Sequence, residues 1–151
     1  MRRLWTCVAT VAVLLGMAGC DTGRHSATGF RLPSSGEIER GKSAFLAFEC
    51  NKCHSVSGLN LPKPTVVPPV PVVLGGETTS VLTDGYLVTS IVNPSHVITG
   101  YGASGVRDMN GKSRMPDYTE TMTVRQLTDI VAFLQSQYTV RRVSQRYPMV
   151  N

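Results

Sequence analysis

A chain of 151 residues has room for one domain and short appendages, and its 42% hydrophobic and 17% charged residues are ordinary for a globular protein rather than a disordered one. The formal charge of +5 sits at the two ends, because between Glu37 and Val140 eight Lys or Arg stand against nine Asp or Glu. Without a basic face on the folded region, or basic residues interleaved with aromatics, the composition argues against a nucleic-acid partner.

The chain begins as an export signal. Arg2 and Arg3 precede an apolar run from Leu4 to Met17, which gives way to small residues, Ala18 and Gly19, before Cys20. The run is short for a bilayer span, which needs about 20 apolar residues; an uncleaved anchor is the alternative. Met17-Ala18-Gly19-Cys20 resembles the lipobox of bacterial lipoproteins, with Met17 where that family usually has Leu. The resemblance implies cleavage after residue 19 and lipidation of Cys20, and so an exported, periplasmic protein held to a membrane by its lipid. A plain signal peptide would instead leave Cys20 as an odd thiol in an oxidising compartment. Asp21 resembles the inner-membrane retention signal of some Gram-negative bacteria. Residues 20–36 read as the lipidated Cys and a flexible linker, rich in Gly, Ser, Thr and Pro, that extends up to about 50 Å.

The first helical pattern opens at Ser34, which has capping-box spacing to Glu37. Ile38, Gly41, Phe45 and Phe48 then recur at helical intervals. Cys50-Asn51-Lys52-Cys53-His54 comes directly after. C-x-x-C-H is the signature of covalent c-type haem attachment: two thiols a turn apart form thioethers with the vinyl groups, and the adjacent imidazole binds iron. A redox dithiol would want a strand before the motif and a helix starting at its first Cys. Zinc would want a second pair of ligands, and the mature chain offers only the scattered Cys20, His25 and His96.

From Leu61 to Leu74 five prolines exclude a helix or an inner strand. Thr83 reads as the N-cap of a second helix carrying Tyr86, Leu87, Val88 and Ile91, which stops at Asn93-Pro94. The segment from Val97 to Ser113 carries four glycines and reads as loop. Such long loops in a compact domain point to function or to a further component, and a large apolar cofactor would supply the core that the side chains lack. Met115, held before Pro116, is the candidate for the second axial iron ligand, since Met/His is a standard haem pair. Met109 is its rival, in a turn-like setting of Asp108, Asn110 and Gly111, while Met122 reads as core and Met149 lies in the tail. Thr123 and Gln126 form a capping box for the last helix, with an apolar stripe of Leu127, Ile130, Val131 and Leu134. A basic tail, 141–151, closes the chain.

Three blocks resemble class I cytochromes c: Gly41-x-x-x-Phe45 leading into the haem motif, the segment LVTSIVNP from Leu87 to Pro94, and Met115-Pro116 followed by TDIVAFLQ from Thr128 to Gln135. The resemblance runs from about Glu37 to Tyr138, within a cytochrome c domain of residues 37–140. It implies an all-α, cytochrome c-like fold of three main helices and long loops around one covalent haem. It implies that the first and last helices cross closely, with Gly41 giving room and Phe45 meeting Phe133 or Leu134. Tyr86, Leu87, Ile91 and Val92 would lie near the haem, and Tyr101, Arg107 and Arg114 near its propionates. A carbonyl of the proline loop would accept the Nδ1 proton of His54; the segment around Pro68-Pro69 matches best, with Pro62 and Pro64 as rivals. With His54 and Met115 on the iron no position stays open, so the expected function is one-electron carriage between redox partner proteins rather than catalysis. The alternatives are a bound cytochrome subunit of a membrane oxidase or dehydrogenase complex, and a five-coordinate haem sensor or enzyme.

Overall fold

The computed structural model describes residues 30–62, 72–98 and 105–141. The expected signal peptide, Cys20, most of the linker, Pro64, Pro68, Pro69, Tyr101 and the tail beyond Arg141 lie outside the described residues. In chain order the elements are α1 (Ile38–Ala47), a single 3-10 turn (Cys50–Lys52), β1 (Gly76–Thr78), α2 (Asp84–Val92), α3 (Val124–Gln137) and β2 (Tyr138–Val140). None of the described helices is long and apolar enough to cross a membrane.

Two helices start as their sequences dictate. The Thr83 hydroxyl accepts from the Tyr86 N–H at 3.1 Å and caps α2. At α3 the capping box is complete: Thr123 accepts from the Gln126 N–H at 3.2 Å, while the Gln126 side chain accepts from the Thr123 N–H at 2.9 Å. The first helix departs from expectation. Ser34 does not cap it; its N-cap is Glu37, with no capping bond from that residue's side chain. The work passes to another helix. Asp129 of α3 accepts from the Glu37 N–H at 2.8 Å, and Arg40 donates to both Asp129 oxygens, at 2.9 and 3.2 Å. A carboxylate at this end is favoured by the positive end of the helix dipole and satisfies a backbone donor that has no partner within its own helix.

That capping is possible because α1 and α3 nearly touch. A Cβ on Gly41 would lie 1.9 Å from the Asp129 carbonyl oxygen and 2.7 Å from Phe133 Cβ, so only a hydrogen fits there. One turn on, the rings of Phe45 and Phe133 meet edge to face with centroids 5.6 Å apart. Both rings are 1% exposed and, with Ile130, Val131 and Leu134, form the centre of a core that Leu87, Val88 and Ile91 of α2 complete. Of the expected stripe on α3, Ile130, Val131 and Leu134 are buried together with the neighbouring Phe133, while Leu127 is partly buried against them.

The two strands are additions to the expected all-helical plan. β1 and β2 pair in parallel, Gly76 with Tyr138 through Thr78 with Val140. Upstream, Val56 bridges Leu74, with Leu74 N–H to the Ser55 carbonyl at 2.9 Å and Ser57 N–H to the Leu74 carbonyl at 2.7 Å. The last linker residues also rest on the domain: Leu32 packs against the core, and Arg125 donates to the Ser35 hydroxyl at 2.8 Å.

Candidate functional site

The chain leaves α1 through Glu49, whose φ of 58° is left-handed, a conformation usually given to glycine at a helix end. Its N–H returns to the Leu46 carbonyl at 2.9 Å. The tight turn after it brings Cys53 N–H to within 3.2 Å, and His54 N–H to within 2.9 Å, of the Cys50 carbonyl. Cys50, Cys53 and His54 thus leave a single turn of backbone, as two thioethers to one macrocycle and an adjacent iron ligand require.

Both cysteines are half-buried free thiols. Cys50 packs against the core, and burial pushes its thiol up to about 11, with the neighbouring Cys53 a minor contributor in the same direction. Among the described residues no three His, Cys, Asp or Glu side chains gather in a way that could hold a metal ion; Cys20 and His25 lie outside them.

His54 Nδ1 lies 3.1 Å from the carbonyl oxygen of Val72. With the Nδ1 proton donated there, Nε2 keeps the free lone pair for a metal, and the imidazole becomes the stronger donor. The acceptor is thus a residue that sequence reasoning had not named, at the far end of the proline loop. Pro62, one of the rivals, takes a different partner, the Asn51 amide, at 3.4 Å; Pro64, Pro68 and Pro69 lie outside the described residues. Proline content marked the loop, but nothing in the composition distinguishes one of its carbonyls from another.

The candidate methionines separate by exposure. Met109 is fully exposed at the tip of a turn, where Asp108 Oδ1 accepts from the N–H groups of Asn110 and Lys112, both at 2.8 Å. Met122 packs against the core as expected. Met115 is half-buried, and its N–H donates to the Ser113 hydroxyl at 3.2 Å. Its loop is tied to the segment just before Cys50 by Tyr118, a contact the sequence did not reveal. The phenol donates to the Phe48 carbonyl at 3.2 Å, and the two rings meet edge to face at 5.6 Å. Burial, with the nearby thiols and Glu49, pushes the phenol's pKa up and keeps it a donor.

Of the residues expected near the haem, Leu87 and Ile91 are buried, Val92 is half-buried against the core and Tyr86 is half exposed. Arg107 donates to the Gly111 carbonyl at 2.8 Å and Arg114 to the Gly105 carbonyl at 3.3 Å, so both brace the loop ahead of Met115. Leu46, Phe48, Leu59, Leu61 and Leu74 pack half-buried against the core, apolar surface of the kind a porphyrin face needs. The residues present therefore suit a covalent haem.

No curated protein and no solved structure matches the chain. A family model described as cytochrome c matches residues 38–137, from the first residue of α1 to the last of α3. A match over that span shows that this chain belongs to the cytochrome c family, whose domain carries covalently attached haem c.

Proposed function

We propose that the protein is a mono-haem, one-electron carrier in which His54 and Met115 are the axial ligands and Cys50 and Cys53 the covalent attachments. The observation that carries this reading is the bond from His54 Nδ1 to the Val72 carbonyl, which leaves Nε2 as the coordinating nitrogen. Haem c, when bound, supplies an iron that passes between ferrous and ferric states, and a thioether opposite imidazole favours the ferrous one. The chain's own residues hold and insulate. Val72 fixes the imidazole plane, Tyr118 keeps the Met115 loop against the segment before Cys50, and Leu87 and Ile91 contribute apolar packing. Two protein ligands leave the iron closed to substrate, which suits carriage rather than catalysis.

The same reading places the protein in the periplasm, tethered through a lipid on Cys20, with protein redox partners as electron donor and acceptor. Met17 to Cys20 and the short apolar run before them support that location. The full chain made with haem-attachment machinery tests the core of the proposal. Its haem should survive denaturing electrophoresis and be lost in the Cys50→Ala, Cys53→Ala double variant. Its ferrous form should resist carbon monoxide at neutral pH. Haem retained by the double variant, or ready binding of carbon monoxide by the unmodified chain, would overturn it.

A further inference from the structure

The carbonyl that orients His54 belongs to a segment anchored by the C-terminal end of the domain. Residues 72–78 run from that carbonyl through Leu74, paired with the backbone of Ser55 and Ser57, into β1, paired with β2. Gly75, between these attachments, and Gly76, the first residue of β1, both have left-handed φ, at 76° and 87°. They are where the two ends of the clasp meet. A Cβ on Gly75 would sit 2.9 Å from Gln137 Cβ at the end of α3, and one on Gly76 would sit 3.1 Å from the Ser57 hydroxyl. Past β2 the Arg141 N–H donates to the Thr78 carbonyl at 2.9 Å, and the Arg141 guanidinium pairs with Glu77, Nε to Oε2 at 3.0 Å.

We propose that β2 and Arg141 are positioning elements for the axial histidine: the C-terminal strand holds residues 72–78 in register, and through them sets the His54–Val72 hydrogen bond. The physical case is one of restraint. A proline-rich loop has few backbone donors with which to fix itself. The described part of this one is held on one side by the backbone of Ser55 and Ser57, just after the haem motif, and on the other by β2. Remove β2, and of the two described attachments only the Leu74 bridge is left to keep the Val72 carbonyl over Nδ1. A weaker Nδ1 bond makes the imidazole a poorer donor, which disfavours ferric iron and raises the reduction potential.

This inference rests on His54 being an axial ligand, and the experiment separates the two. Two truncations of the haem-loaded chain are compared with the full chain. One ends at Arg141 and keeps the clasp; the other ends at Tyr138 and loses it, while retaining α3 and the half-buried Tyr138 ring. The first should keep the full chain's potential. The second should show a raised potential, and amide exchange at Ser57 and Leu74 faster by about tenfold or more. A Glu77→Arg variant should shift the potential the same way, and adding Arg141→Glu should reverse the shift, which also covers a shorter truncation that fails to fold. Arg40→Ala, which weakens the α1–α3 crossing away from the clasp, should lower the melting temperature and leave the potential unchanged. An unaltered potential in the folded Tyr138-terminated chain, or in Glu77→Arg, overturns the proposal. Failure of the ligand assignment would appear elsewhere, as a His54→Ala protein with an unchanged low-spin spectrum.

Discussion

The Asp129 carbonyl oxygen lies where the first side-chain carbon of any residue but glycine at position 41 would have to be, 1.9 Å from an ideal Cβ. Neither atom has freedom to retreat, since one is helix backbone and the other is fixed to it. Gly41→Ala should therefore force α1 and α3 apart and disturb the Phe45–Phe133 contact, with a loss of about 3 kcal/mol or more. Thermal unfolding of the haem-loaded variant checks this, and an unchanged midpoint would contradict so close a crossing.

The same residue's side chain predicts acid sensitivity. Hydrogen bonds from Arg40, and secondarily from the Glu37 N–H, outweigh burial and hold the Asp129 carboxyl below its ordinary 3.8. A carboxyl lowered by folding contributes stability that is complete above 3.8 and is lost as pH falls through the folded-state value. Unfolding followed from pH 6 down to pH 2 should thus give a steeper acid loss for the native chain than for Asp129→Asn. Parallel curves for the two proteins would show that the carboxylate carries no such linkage.

Met115 and Met109 make opposite predictions. A ferric haem with a thioether ligand has a far-red charge-transfer band, which Met115→Ala should abolish while lowering the reduction potential. Met109, fully exposed at its turn, should be replaceable by Ala with the band intact. The reverse result would transfer the ligand role to Met109 and leave carriage itself untouched.

Tyr118 should matter through its hydroxyl as well as its ring. Tyr118→Phe keeps the edge contact with Phe48 and deletes the bond to its carbonyl, a loss of about 1 kcal/mol. Because that bond ties the Met115 loop to the segment just before Cys50, the far-red band should also bleach at a lower temperature than in the native chain. Bleaching at an unchanged temperature would confine Tyr118 to general packing.

At the other end of the chain, mass spectrometry of the mature protein should find residue 20 as the N-terminus, carrying lipid, and Cys20→Ala should block both processing and attachment. An unmodified Cys20, or cleavage elsewhere, would refute the anchor.

The caps of the last two helices and the nearness of the C-x-x-C-H residues were legible because each is written in adjacent residues: Thr83 and Thr123 cap the helices that start beside them, and Cys50 to His54 fall within one turn. Gly41 and Phe45 were legible only through resemblance, since local spacing says nothing of what a helix will meet. What escaped was long-range and backbone-mediated. Ser34 has the spacing of a cap, yet the carboxylate that takes the Glu37 N–H comes from 92 residues away. Three-residue strands are too short to show a period of two, so β1 and β2 left no trace. Val72 serves through its carbonyl, a group every residue possesses. Tyr118 stood in view beside Met115, but its partner is again a backbone oxygen, that of Phe48.

The crossing of α1 and α3 also bears on how the domain assembles. Helical domains usually fold fast because their contacts are local. Here the principal helix pair joins residues near opposite ends of the folded region, and closing a loop of that length costs about 4 kcal/mol of chain entropy before any contact is made. α1 is ten residues long and takes its N-terminal partner from Asp129, so neither helix is complete until that loop closes. The rate of folding should accordingly track the closure of that loop, so that a group bonded to Cys50 and Cys53, with apolar faces for the intervening chain to collapse upon, would shorten the search as well as deepen the final minimum.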